Sequence, residues 1–353
     1  MDWFKTLFGF REKGLAYDEI QAKFEIVNET QLRSVTNDKA YDIGTFECLS
    51  LATLRDHAMC VGRLGQLRVT HVASKDVFLL HCDPLHRNAT FQAASQFNCL
   101  EFAHPRARPE DGVTIYARDM TQGPACAIAA GPGTVFRNYF ASPDADLQGQ
   151  RATSQINNLD DVEVILDNER HQYFHVVNGY TDATNASLQR LNDVLETADN
   201  NDLEDALKVG VHWNVEVPFK ARYHPTSPSS DKQLVTQVYC SAISCGYSYA
   251  STTAWAPFAS LVLRASYEAT LWAAIINAST TGSNRVFLTV LGGGVFGNKT
   301  TWILDAIAAA VAKCHAFDLD VVVVHYLKVD KALVTALDKL LPIPDMSEVF
   351  AST

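Results

Sequence analysis

The stretch FLTVLGGGVFGNKTTWILDAIAAAV, residues 287–311, has the residue types that hold an anion. Val286 to Leu291 is an apolar, partly β-branched run that predicts a buried strand. Three glycines follow at once, Gly292, Gly293 and Gly294, and a helical pattern begins near Thr300, with Thr300 or Thr301 as the expected N-cap. A strand, a glycine turn and a helix start together present backbone N–H groups to a phosphate. The plain alternative is a tight turn with no ligand.

Two nucleotide motifs compete for this loop. A Walker A loop needs lysine directly after its last glycine, but Asn298 separates Gly297 from Lys299. Gly292, Gly294 and Gly297 match the dinucleotide fingerprint GxGxxG. That fingerprint asks for an acid at the end of the next strand, and Asp318 and Asp320 stand at its beginning. A Rossmann-type oxidoreductase is therefore the weaker reading.

The elements that must carry the loop are set by a chain of 353 residues, 47% hydrophobic, enough for a large core. Net charge is −11, and no lysine- or arginine-rich block occurs, which argues against nucleic acid as the main partner. No secretory leader or membrane-length apolar run is visible, and the eight cysteines fall in no CxxC or metal-ligand spacing. A cytosolic, reduced protein without a metal or cofactor is expected.

The polar segment 104–112, HPRARPEDG, suggests a boundary near residue 110. Before it, strands are expected at 66–72 and 76–81 and a helix over 89–99. After it, strands are expected at 112–119, 124–131, 172–180, 211–217, 234–244 and 319–326, with helices starting near 134 and spanning 255–278. Near-continuous apolar strands alternating with helices predict an α/β sandwich with a mixed sheet. Two polar stretches, 142–170 and 223–232, read as insertions.

The order of these segments resembles the macrodomain, the ADP-ribose-binding α/β/α family. YARDMT (116–121) is similar to the family's Gly-Asp-Ile-Thr segment, and ACAIAAGPGTVFRNYF (125–140) to its first glycine loop. VNGYTDA (177–183) and TQVYCSAI (236–243) sit where the family has its Gly-Tyr turn and next strand. TVLGGGVFGN (289–298) resembles its second phosphate loop, Gly-Val-Phe-Gly. The likeness covers roughly residues 112–326. It implies a three-layer α/β/α core over 111–335 with insertions at about 142–170 and 182–233, an N-terminal extension 1–110 and a tail 336–353.

The resemblance also implies a ligand set. Asp119 would accept from the adenine amino group, with Met120 behind the ring. Gly131, Gly133, Thr134, Val135 and Phe136 of the first loop would face Gly292, Gly293, Gly294, Val295, Phe296, Gly297 and Asn298 across the diphosphate. Hydrolysing macrodomains carry an asparagine and an aspartate where this chain has Ala129 or Ala130 and Val135 or Phe136. An acid must then come from elsewhere: Asp160 and Asp161 in the acid-rich insertion, with Asn138 orienting a ribose and Glu268 as second choice. Gln96, Asn98 and Glu101, polar residues in an apolar run, are candidates for the pocket edge.

The segments 121–140 and 238–271 further resemble a divergent branch that includes a Legionella effector removing ADP-ribose from modified ubiquitin, and its eukaryotic relatives. The expected function is ADP-ribose binding with hydrolysis from a modified protein, possible substrates including ADP-ribosylated ubiquitin or arginine. The rival is a non-catalytic ADP-ribose reader.

Overall fold

The protein's structure is a computed structural model and describes residues 2–143, 147–197, 199–226 and 231–341. Its centre is a seven-stranded mixed sheet made of β1 (Thr45–Ser50), β2 (Arg68–Ser74), β3 (Thr90–Ala94), β4 (Lys208–Glu216), β5 (Leu234–Cys240), β6 (Arg285–Leu288) and β7 (Asp320–Tyr326). The spatial order is β1-β4-β5-β3-β6-β7-β2. From β5 to β2 every neighbouring pair is parallel; β4 runs antiparallel to both β5 and β1. This is the mixed α/β sandwich expected from the alternation of apolar strands and helices.

Both faces of the sheet are covered, which is why β6 and β7 read as near-continuous apolar runs. In β7, Val321 and Val323 pack into one core and Val322 into the other. The first core holds helices α1 (Leu51–Val61), α4 (Ala256–Thr281) and α5 (Thr300–Cys314). Helix α4 is buried on nearly every side from Phe258 to Asn277, so it shows no single apolar stripe. The second core holds α2 (Gln122–Ala129), α3 (Gly131–Tyr139) and the N-terminal arm, whose Trp3, Phe4, Leu7 and Phe8 are fully buried.

Several expectations are corrected. Strands β1, β2 and β3 all precede residue 110, so a boundary there would cut the sheet. Residues 77–82 form a helix begun by the Asp76 side chain, and β3 replaces the helix expected over 89–99. The small-residue stretch 122–139 forms two helices, not a strand and a glycine loop. Alanine-rich sequence with proline in the first turn favours that outcome, and the stripe Ala125, Cys126, Ile128 and Ala129 lies against the sheet. Residues 112–119 contain only a 3₁₀ turn, Thr114–Arg118. Lys299, not a threonine, is the N-cap of α5.

Candidate active site

Strands β5, β3 and β6 are adjacent and parallel, and their carboxyl ends open into one cleft. Crevices outside the carboxyl ends of parallel strands are the usual ligand sites of such sheets. The cleft holds about 770 Å³ of empty space, part of it open to solvent. Ala94–Gln96 after β3, Ala242 after β5 and Thr289–Gly292 after β6 form its floor.

The glycine loop forms one wall. Gly292 has φ +72 and Gly297 φ +73, a left-handed conformation that glycine adopts without strain. This winding turns the backbone N–H groups of Gly292, Gly294, Val295 and Phe296 away from the loop's own carbonyls. None of these four has a partner among the described residues. The remaining N–H groups are used internally: Gly293 donates to Val290 O at 3.2 Å, Gly297 to Gly294 O at 3.0 Å and Asn298 to Gly292 O at 3.0 Å. The four free donors belong to the four loop residues that line the cleft. Such a concavity of N–H groups binds an anion without lysine. Asn298 is a brace, its Nδ2 donating to Ile243 O at 2.8 Å. Gly293 and Gly297 shape the loop from behind and do not line the cleft.

An aromatic group flanks the loop. Phe296 lies 5.6 Å from Tyr180 and 5.9 Å from Tyr247 between ring centroids, and Tyr180 Oη donates to Phe102 O at 2.6 Å. These rings offer flat apolar faces beside the free N–H groups.

The lining also carries a group that stands apart chemically, Glu101. It is 3% exposed, it lines the cleft, and neither carboxyl oxygen has a hydrogen-bond partner in the protein among the described residues. Other buried glutamates differ. Glu268, 2% exposed, takes Arg55, Lys313 and Trp272. Glu12 takes the N–H groups of Val113 and Thr114 and the Tyr139 hydroxyl. Burial pushes the Glu101 carboxyl well above its ordinary range, against the opposing pull of the Arg137 guanidinium. Its backbone is fixed: the Glu101 N–H donates to Tyr116 Oη at 3.0 Å, and the next N–H, Phe102, donates to Gln96 Oε1 at 2.9 Å. The Gln96 amide nitrogen has no partner among the described residues, and its residue lines the cleft. Helix α2 begins against the carboxyl; a Cβ on Gly123 would lie 2.2 Å from Glu101 Oε2.

The structure brings together only part of the expected site. Gly292, Gly294, Val295, Phe296 and Asp119 line the cleft, as do Gln96 and Glu101. Asp119 Oδ1 accepts the Thr121 N–H at 2.8 Å, and Met120, 68% exposed, stands outside the lining. Gly131, Gly133, Thr134, Val135 and Phe136 lie in α3 and face the second core: a Cβ on Gly131 would meet Trp3, and one on Gly133 would meet Val215 and His212. The expected first loop therefore does not face the Gly292–Asn298 loop across the cleft. Asn138 is fully buried, its Nδ2 donating to Pro109 O at 3.0 Å. Asp160 and Asp161 share Lys208 Nζ at 2.9 and 2.8 Å on the surface, away from the cleft. Asn98 braces the 96–100 turn, and Glu268 is a buried ion-pair partner in the first core. As for the dinucleotide reading, the acid after β7, Asp330, caps its own helix through Ala332 and Leu333.

No protein-family model matches the chain, and no curated protein sequence matches it. Among solved structures, the poly(ADP-ribose) glycohydrolase of Deinococcus radiodurans in complex with ADP-ribose is similar at 11% identity, over 84% of this chain and 93% of that one, with a TM-score of 0.44. The poly(ADP-ribose) glycohydrolase of Thermomonospora curvata is similar at 12% identity, over 92% and 96%, with a TM-score of 0.43. The same T. curvata enzyme bound to the inhibitor ADP-HPD gives 12%, 91%, 94% and 0.41.

Proposed function

We propose that the cleft binds ADP-ribose and that the chain hydrolyses the glycosidic bond joining ADP-ribose to a modified protein. One observation carries this reading: four free backbone N–H groups and an unpartnered, buried carboxyl line the same cleft. The N–H groups of Gly292, Gly294, Val295 and Phe296 suit a diphosphate. Tyr247 and Phe296 supply apolar faces for a ribose or the base. Asp119 also lines the cleft, and its carboxylate suits an amino group.

Glu101 takes the role first sought in Asp160 and Asp161. Its raised proton affinity keeps it protonated where an ordinary carboxyl would be ionised, so it serves as a general acid. Glu101 gives its proton to the leaving atom as the bond from that atom to the sugar's anomeric carbon breaks. Water adds to that carbon, and the proton it loses returns to the carboxylate. Atoms and charge balance over the cycle, and no metal or cofactor enters it. A non-catalytic reader has no use for such an acid; leaving the buried Oε1 unsatisfied costs about 1–3 kcal/mol.

The test is calorimetry with ADP-ribose, followed by assays of ADP-ribose release from modified ubiquitin and from arginine-linked ADP-ribose. The divergent macrodomain branch suggests those two substrates. Binding with release by the wild type, and binding without release by Glu101→Gln, is the expected pattern. Absence of ADP-ribose binding, or full release by Glu101→Gln, refutes it.

A further inference from the structure

Arg137 in α3 is fully buried and forms no ion pair among the described residues. A buried charge is costly unless an opposite charge answers it. Its guanidinium donates to Cys99 O from Nε at 3.2 Å, to His212 Nδ1 from Nη1 at 3.1 Å and to Thr134 Oγ1 from Nη2 at 3.0 Å. It also lies 3.7 Å from the centre of the Tyr239 ring. None of these partners brings a negative charge. A guanidinium can only donate, so His212 Nδ1 accepts, and the ring's proton sits on Nε2, which donates to Ile43 O at 2.6 Å. Burial and the neighbouring guanidinium hold His212 neutral, well below its usual proton affinity.

Glu101 is the complement: a buried carboxyl with no hydrogen-bond partner among the described residues. The turn 96–102 joins the two. Arg137 Nε holds Cys99 O, two residues before Glu101, and Cys99 has φ +60, a left-handed conformation that needs bracing in a residue other than glycine. Gln150 ties the same helix to the same turn again, its Nε2 donating to Arg137 O at 3.0 Å and to Asn98 O at 3.1 Å. The charges acting on Glu101 are Arg137, Cys99 in its own turn and Asp119. Tyr116, Cys126, Tyr180 and Tyr239 are also near, each kept neutral by burial. Burial favours the protonated acid, and Cys99 and Asp119 add to it; Arg137 is the one cation that opposes them.

Resting on the proposed hydrolase activity, we propose that Arg137 is a positioning residue for Glu101. It holds the turn that carries the carboxyl, and its buried charge stabilises the carboxylate left when Glu101 protonates the leaving atom. Without that charge Glu101 would keep its proton too tightly to serve as an acid. Water screens little in the interior, so the charge acts without a direct ion pair.

The experiment compares the wild type with Arg137→Lys, Arg137→Met and Arg137→Gln. Two quantities are followed against pH: release of ADP-ribose, and the Glu101 carboxyl signal in NMR of protein carrying isotope-labelled glutamate. That signal is the one missing from Glu101→Gln. Glu101 acts as the acid while protonated, so turnover falls as pH rises past its proton affinity. Loss of the positive charge should move the carboxyl titration, and with it the falling limb of turnover, upward by at least about one pH unit. Arg137→Lys keeps the charge and should leave both near the wild-type position. A merely structural role lowers turnover and melting temperature in all three variants without moving either. Arg137→Gln keeps an amide donor for Cys99 O and covers the case in which Arg137→Met does not fold. An unmoved carboxyl titration in folded Arg137→Gln, or an equal rise in Arg137→Lys, overturns the inference, while release by the wild type keeps the hydrolase reading. No release by the wild type overturns both.

Discussion

Replacing Glu101 by glutamine should lower activity and raise stability together, and the size of each effect follows from the same burial. The residue is 3% exposed, its Oε1 is buried, and neither oxygen has a hydrogen-bond partner among the described residues, so its ionised form is disfavoured in the folded protein. A carboxyl whose folded proton affinity lies above its ordinary value of 4.5 weakens the fold as pH rises. Below 4.5 both states are protonated and nothing is lost. Above it the unfolded chain releases its proton first, so stability falls by about 1.4 kcal/mol per pH unit until the folded carboxyl also ionises. Glutamine cannot ionise and escapes this loss. For a chain of this length, that slope separates the melting temperatures of variant and wild type by about 2 °C per pH unit. Glu12 and Glu216 are shifted in the same direction but are common to both proteins, so they cancel in the difference. The loss of the general acid should cut turnover by about 10²–10⁴-fold. The assays are melting curves from pH 4 to pH 8 and ADP-ribose release at each pH. A variant that loses activity without the widening stability gap would refute the unpartnered-acid argument. A variant that gains stability yet keeps full activity would refute the catalytic role.

Other perturbations probe the surroundings. Gly123→Ala should place a Cβ 2.1 Å from Ala94 O and 2.2 Å from Glu101 Oε2. Helix propensity alone would make that change stabilising by about 1 kcal/mol, so a loss of about 1–3 kcal/mol in urea titration, with reduced turnover, is the signature of the clash; a more stable, fully active variant contradicts it. Glu12→Ala leaves the Val113 and Thr114 N–H groups and the Tyr139 hydroxyl unpaired, at about 1–3 kcal/mol for each buried group. Denaturant unfolding and hydrogen exchange at those two amides should both register it, and unchanged protection would show that the arm does not clamp the 104–119 segment. Asp160→Ala with Asp161→Ala removes only a surface pairing to Lys208, so stability should change by less than about 1 kcal/mol and turnover not at all; a large drop in turnover would return the chemistry to the insertion.

Sequence reading reached the glycine loop because its signal is local. Strand, glycines and helix occur in consecutive residues, and Gly292 and Gly297 take the left-handed turns that make such a loop. The layered sheet was legible for the same reason: runs such as Val321 to Val324 are apolar at every position because both faces are covered. The 122–139 stretch misled because small residues pack equally well as a strand or as a helix against a sheet. Asp160 and Asp161 drew attention as a dense acid cluster, yet density on a surface gives no desolvation. Glu101 was visible only as a polar residue in an apolar run. What sets it apart, a buried carboxyl without a hydrogen-bond partner among the described residues, depends on where Tyr116, Gln96 and Gly123 end up in space.

The most direct measurement is calorimetry of ADP-ribose with the wild type and with Gly294→Glu. Gly294 lines the cleft, and a Cβ there meets nothing within 4 Å, so the substitution adds a negative charge at the anion-binding loop without crowding the fold. The wild type should bind, and the variant should lose at least about tenfold in affinity with an unchanged melting temperature. Equal binding by both proteins, or none by the wild type, would contradict the claim that this loop holds the diphosphate.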